Sequence, residues 1–470
     1  QGLAVTNKIQ DQEGDVMSVF WNKNDTTRQL LHGSTILEVP ASGNNGNVDF
    51  GGSKIFTINN DIDCLGELYL NMKVSITNLF SGPANLSAIS IGTGPTIDGT
   101  DPRIQFKLGA LTNIIERIEY QVGTQIWQTL EKDDVRVVYN TEMSEAAYGS
   151  VSRRARPSTS GNTMWTSLSS VSSEDVDVTF IIPALTKTLA PQLETFTNVS
   201  ESGYPLAAAP HQSVKLKIYL SNTDTISITP TADASYDPAA TDKDKMLIDV
   251  DESPYISAME FDVAGTTGPV AATEIVLGPA PLKLKSIKLY AKHLIMCNEE
   301  REQMKAMPLG LPKRLKMSQN ALITDLTSVT QKTIDLDHFS LYGSHLIISG
   351  NLGKDVYIKT AELKLNSSSF SGVLPAQMLD YAAASSLGLY VNRNIEGTQA
   401  EAVDGVGMLV FPLGSSAYSG SSVPLNRFDS IRLTLTFTKT PTALSPYISI
   451  SCIGETTALF KGGAASLAMY

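Results

Sequence analysis

The chain has 470 residues, too many for one ordinary domain and enough for two that each bury a core. With 42% hydrophobic and 18% charged residues it reads as a folded globular protein rather than a disordered one. A formal charge of −12, from 48 acidic and 36 basic residues, gives a surface that repels phosphate backbones, so direct nucleic-acid binding is not expected.

The first residues, with Lys8, Asp11, Glu13 and Asp15, contain no apolar signal-peptide core, and no run approaches the roughly 18 apolar residues of a membrane-spanning helix. A soluble, non-secreted protein is expected. Residues 1–45 read as a polar arm anchored by Phe20 and Trp21. Residues 46–225 form a first strand-rich half. Residues 226–280, with Pro230, Pro238, Pro254, Pro269 and Pro279, read as an inter-domain connection or insertion, and residues 281–470 as a second strand-rich half.

The dominant pattern within both halves is alternation with period 2. Val214, Leu216, Ile218 and Leu220 fall on one face of a strand whose other face carries Lys215, Lys217 and Tyr219. The pattern returns at Leu282–Lys285, Val356–Lys359, Leu363–Leu365, Ile431–Phe437 and Tyr447–Ile450. Between the strands lie Gly-, Ser-, Thr- and Asn-rich stretches at 41–47, 81–102, 150–173 and 413–424, long enough to suggest contact-making loops. Helices are expected only at Asn298–Lys305, where Asn298 can cap and acidic residues occupy the first turn, and at Thr129–Glu145. No tandem repeat of 20 to 50 residues appears, which disfavours solenoids and propellers. The pattern alone gives an all-β class of sandwiches or jelly rolls, whose two-layer packing limits exposed strand edges.

Chemistry is hard to find. His32, His211, His293, His338 and His345 include no pair at helical ligand spacing, so neither a metal nor a cofactor is indicated. Cys64, Cys297 and Cys452 lie far apart and read as reduced core residues. His338 beside Asp337 reads as two ordinary polar residues on opposite faces of a strand. Gly350–Asp355 lacks the spacing and hydroxyl of a phosphate loop and reads as a hairpin turn. No Gly-x-Ser-x-Gly elbow presents a nucleophile. The carboxylate pairs Asp133–Asp134 and Glu299–Glu300 read as solvated faces rather than glycosidase machinery. The basic clusters 152–156 and 313–316 suit salt bridges to an acidic neighbour better than a nucleic-acid track. Asn24, Asn85, Asn198 and Asn366 head the triplets of possible N-glycosylation sites.

With no catalytic constellation in view, the strand texture itself becomes informative. The segments Val48–Ile58 and Leu65–Leu70, read as an opening strand pair, are one marker. A second is the hairpin Ile114–Ile126 with Gly123 in its turn, followed by an amphipathic segment at Trp127–Glu145. Tyr290–Met304, Phe411–Leu413 through Asn426–Ile431, and the small-residue tail Gly462–Tyr470 are the others. Together they resemble the major capsid proteins of nucleocytoplasmic large DNA viruses. That resemblance implies two consecutive eight-stranded antiparallel jelly rolls with a few short helices in loops. It implies a non-enzymatic chain that forms pseudo-hexagonal homotrimeric capsomers in an icosahedral virion capsid assembled inside the host cell. The partners it implies are neighbouring capsomers, minor capsid proteins and, through other proteins, an inner membrane. Two other readings fit the same architecture: a minor or vertex capsid protein, and a carbohydrate-binding module for which Trp21, Trp127 and Trp165 are the available stacking residues.

Overall fold

The computed structural model describes residues 33–42, 49–58, 63–76, 96–106, 113–135, 165–167, 175–182, 204–222, 225–226, 229–230, 245–251, 256–264, 280–296, 298–306, 309–323, 330–339, 342–352, 356–379, 405–413, 422–441 and 446–468. Sixteen strands among them build two β-sandwiches in succession.

The first sandwich uses β1 (Gly33–Val39), β2 (Ser53–Ile58), β3 (Cys64–Ile76), β4 (Ile115–Val122), β5 (Gln125–Glu131), β6 (Asp175–Ile182), β7 (Val214–Leu220) and β8 (Ala280–Ile295). One sheet runs β1-β8-β3-β6 and the other β2-β7-β4-β5, all neighbours antiparallel. Strand β7 alternates strictly between buried and half-buried residues, as its sequence requires. Its Leu216 and Ile218 meet Phe56, Ile118 and Tyr120 from flanking strands in the core, which Leu68, Leu70, Met72 and Leu289 of the facing sheet also help form.

The second sandwich repeats the plan with β9 (Leu309–Leu322), β10 (Gln331–Asp335), β11 (Tyr342–Asn351), β12 (Ile358–Leu365), β13 (Ser368–Pro375), β14 (Gly405–Pro412), β15 (Ile431–Phe437) and β16 (Tyr447–Lys461). Its sheets run β9-β16-β11-β14 and β10-β15-β12-β13. In both sandwiches the eighth strand lies between the first and third, and the seventh between the second and fourth. Two sheets with those strand orders make a jelly roll. The second core gathers Leu346 and Ile348 of β11, Leu363 of β12, Leu433 and Leu435 of β15, and Ile448 and Ile450 of β16.

Several expectations change. Residues 281–295, placed in the second half by the proline-rich stretch before them, instead belong to β8 and pair with β3 and β1 of the first roll. Residues 33–42, read as part of an arm, are strands: β1 pairs with β8, and Ala41–Ser42 adds to β2. A short polar segment there disguises an edge strand. Strands β2 and β3, read as an opening pair, lie in different sheets, as do β11 and β12, so these two strands do not form the expected hairpin; residues 353–355 of its turn lie outside the described ones. The expected hairpin at Gly123 is present: β4 and β5 pair around it, with φ of 60° at the glycine. The helix expected from Thr129 begins only after β5, as one turn over 132–135, because Trp127 and Leu130 are needed inside. Residues 136–145 lie outside the described ones. The helix expected at Asn298 is present as α1 (Asn298–Ala306), in the connection between the rolls.

A third sheet stands apart from both sandwiches. It runs Thr229–Pro230, Lys245–Asp251, Ile256–Ala264, Thr96–Phe106 and Trp165–Ser167. These strands come from the β3–β4, β5–β6 and β7–β8 connections of the first roll. In a jelly roll those connections emerge at the same end, so pairing among them needs no long path. The expected loops at 81–102 and 150–173 and the connection at 226–280 thus each supply strands to one structure.

Gly350 marks a close backbone approach in the second roll. Its φ is 148°, and a Cβ built on it would sit 2.3 Å from the Tyr447 carbonyl oxygen of the neighbouring β16. Since backbone atoms there cannot swing aside, Gly350→Ala is expected to cost about 2 kcal/mol or more and to lower the denaturation midpoint. An unchanged midpoint in chemical unfolding would contradict this geometry.

Candidate functional site: the joint between the two rolls

Among the described residues there is no cluster of three or more His, Cys, Asp or Glu side chains that could hold a metal. The Asp337–His338 pair sits in a turn, not on a strand, and its parts are occupied separately. The Asp337 carboxylate accepts from the Ile431 amide at 2.7 Å, and the His338 ring lies 4.5 Å from that of Phe339. Of the other histidines, His293 and His345 are buried on strands β8 and β11, and burial lowers the His293 pKa. His32 lies outside the described residues. Cys64 and Cys452 are buried thiols outside any disulfide among the described residues, and burial pushes that of Cys452 up to about 12, far from a nucleophile's range; Cys297 lies outside the described residues.

The unusual chemistry is instead where the rolls meet. The turn after β5 carries Asp133 and Asp134, and it lies against β9 and β16 of the second roll. Asp134 is 1% exposed. Its carboxylate accepts from the Ser318 hydroxyl at 2.6 Å, the Ser451 hydroxyl at 2.5 Å and the Glu131 amide at 3.2 Å. Ser318 and Ser451 are directly opposite each other on β9 and β16, so one carboxylate spans both strands. Asp133 accepts from the Tyr447 hydroxyl at 3.2 Å. A buried carboxylate is tolerable only when its lone pairs are filled, and three donors from two rolls fill them.

An aromatic group extends the joint. Trp127 and Tyr204 of the first roll and Phe460 of the second pack edge to face, with centroids 5.8, 5.3 and 6.5 Å apart. Each such pair contributes about 0.5–1.5 kcal/mol beyond its buried area. Beyond it, the His211 amide donates to the Gly463 carbonyl at 3.2 Å, and the Ala465 amide donates to the Gln212 side chain at 2.6 Å. Ala465 lies on a strand, Ala464–Ala468, that pairs with the end of β16. A glycine is favoured at 463: its φ is 76°, and a Cβ on it would meet the His211 ring at 2.5 Å.

The connection is held to the first roll as well. Asp63, buried at the start of β3, accepts from the Met296 amide at 2.7 Å and from two guanidinium nitrogens of Arg301 on α1, at 2.5 and 2.9 Å. This fork raises the Arg301 pKa and fixes the helix that leads into the second roll.

The sequence reading of Asp133–Asp134 as a solvated face is therefore overturned for Asp134, whose burial is set by a surface more than 180 residues away in the chain. Its only local signal is Val135, a buried apolar residue that draws the turn inward. Trp127, considered for sugar stacking, is 3% exposed and committed to the joint. Trp21 lies outside the described residues, and for Trp165 only the backbone is described. Asn366 forms the β12–β13 turn with φ of 47°, and its side-chain oxygen accepts from the Asp429 and Ser430 amides at 2.8 and 3.1 Å. Asn24, Asn85 and Asn198, like the basic cluster 152–156, lie outside the described residues. The cluster 313–316 falls on β9.

Two substitutions test the joint. Asp134→Ala strands the buried Ser451 hydroxyl and is expected to cost about 2–4 kcal/mol, with Asp134→Asn milder because it keeps one acceptor oxygen. Equal and negligible losses in urea unfolding would refute the clasp. Tyr204→Phe is expected to stabilise by about 1 kcal/mol, because the buried Tyr204 hydroxyl has no hydrogen-bond partner among the described residues. A drop in melting temperature would show that the hydroxyl is bonded after all.

No protein-family model matches the chain, and no curated protein is similar to it in sequence. Solved structures are similar in fold. A chain of the PBCV-1 virus capsid superposes with a TM-score of 0.60 at 11% identity, covering 95% of this chain and 99% of that one. The Faustovirus major capsid protein gives 0.57 at 8% identity, covering 94% and 92%. A chain of the Sputnik virophage gives 0.52 at 10% identity, covering 98% and 92%. The chain therefore has the double jelly-roll fold of these viral capsid proteins.

Proposed function

We propose that this chain is the major capsid protein of a large icosahedral double-stranded DNA virus, acting as a structural component of the virion shell and not as an enzyme. The observation that carries the reading is the fastening of two complete jelly rolls into one block, by Asp134 and the Trp127–Tyr204–Phe460 group. Likeness to the capsid chains over nearly the whole length supports it. The two building units we infer run from 33 to 296 and from 309 to 468, with α1 between them.

Three copies would place six rolls in a ring, the pseudo-hexagonal capsomer. Neighbouring capsomers and minor capsid proteins would meet its sides and base, and any membrane would be reached through other proteins. The sheet formed from the three first-roll connections would stand at one end of the block as its crown. A function of this kind resides in interfaces, which are large and apolar where assembly is obligate.

Light scattering on the purified chain across a salt series tests the proposal. The expected mass is three times 50.5 kDa at every salt concentration, since a mainly apolar interface is little affected by screening. A monomer at micromolar concentration would overturn it.

A further inference from the structure

One buried side chain is explained neither by the joint nor by the apolar packing of the cores. His293 lies two residues from the end of β8 and is 3% exposed. It shares a face of that strand with Leu289 and Ala291, so its ring points into the first roll, opposite Thr35 of β1 and Leu65 of β3. Its Nδ1 has no hydrogen-bond partner among the described residues.

The second roll builds the same place without a side chain. In each roll the third strand carries one extra residue at this level. The bulge lies between the pairs Leu68–Ala291 and Leu65–His293 in the first roll, and between Leu346–Cys452 and Gly343–Gly454 in the second. His293 therefore corresponds to Gly454. Closing a roll does not require a histidine here, and an apolar side chain would fill the space without stranding a polar atom.

What sets histidine apart is that it takes up a proton between about pH 5 and 8. The surroundings of His293 offer nothing to receive that charge. On β1 the residues of the same face, Gly33, Thr35 and Leu37, are uncharged, and Glu38 is turned to the other face, where it pairs with Lys288. On β3, Asp63 is engaged by Arg301 and the Met296 amide, Cys64 is a buried thiol, and Glu67 accepts from the Tyr69 hydroxyl. Tyr204, bridged to Leu65, brings a neutral hydroxyl. The facing sheet ends at this level in the apolar row Ile58, Val214 and Val122, while Lys54 is tied to the Ile287 carbonyl, farther up β8. Burial alone accounts for the lowered His293 pKa.

We infer that His293 is a proton-sensitive catch on the closing strand of the first roll, where acidification favours a state in which the Ile295 end of β8 has parted from β1 and β3. Above about pH 6.5 the ring is neutral whether β8 is seated or parted, and the catch holds in full. Below that value the parted state takes up the proton first, so parting gains up to about tenfold per pH unit until the buried ring itself titrates. Its effect reaches the connection between the rolls, because the Met296 amide and Arg301 of α1 share Asp63. The device lies within one chain and is independent of whether three chains assemble.

Hydrogen exchange of the unaltered chain and of His293→Leu, at pH 7 and pH 5 and corrected for intrinsic rates, tests the inference. Between these values the protection of amides in 33–39 and 289–296 is expected to fall about tenfold or more in the unaltered chain. In His293→Leu, which has no ring to protonate, the fall is expected to be several-fold smaller. His345, buried on β11, is present in both proteins, so its own titration cancels in the comparison. His293→Gln, neutral at both pH values, carries the same expectation and replaces the leucine variant if that one does not fold. An equal fall in the unaltered chain and the variant, or no fall in the unaltered chain, would overturn the catch.

Discussion

Each roll is held shut by its last strand, which must slide between the first and the third. In the first roll β8 does so by pairing with β3 along most of its length and with β1 on its other side. In the second, β16 does the same between β9 and β11. Without that insertion one of the two sheets in each roll has a gap at its centre, the core loses a row of apolar residues, and backbone donors and acceptors lose their partners. The joint depends on the same insertion, because Ser451, Tyr447 and Phe460 all lie on β16.

The polar clasp and the aromatic group divide the work of joining the rolls. Apolar packing around Trp127 contributes attraction without a fixed register, whereas the Asp134 carboxylate, shared between Ser318 and Ser451, is satisfied in one register only. The Arg301–Asp63 fork restricts the connection in the same spirit. Two rolls so fixed present themselves to a neighbour as one rigid body, which lowers the entropy cost of ordering on association.

Much of the fold was legible because period-2 alternation is a local property. Strands β7, β12, β15 and β16 were marked by residues such as Val214–Leu220 and Ile431–Phe437, and the Gly123 hairpin by its turn glycine. What was not legible was non-local. Residues 33–42 resembled an arm because edge strand β1 is exposed on both faces and has no alternation to show. Residues 281–295 were given to the second half because partner choice is decided by β3, some 200 residues earlier. Asp134 looked like any surface acid, since two of its three donors, Ser318 and Ser451, come from the other roll. Prolines between 226 and 280 signalled a break, and their neighbours instead pair with one another and with Thr96–Phe106 from the β3–β4 connection.

The position of β8 also sets an order of events during synthesis. Strand β3 waits for a partner about 200 residues downstream, so the first roll stays open on the ribosome until the segment ending at Ile295 has emerged. The joint waits longer, for Ser451 and Phe460. A chain interrupted before those residues has an unfilled sheet in the second roll and an unmet carboxylate in the first. Such a fragment lacks the rigid paired body described above and is a poor competitor for a place in any assembly. The late return of the closing strands therefore acts as a check on translation, passing only chains that have been made through Phe460.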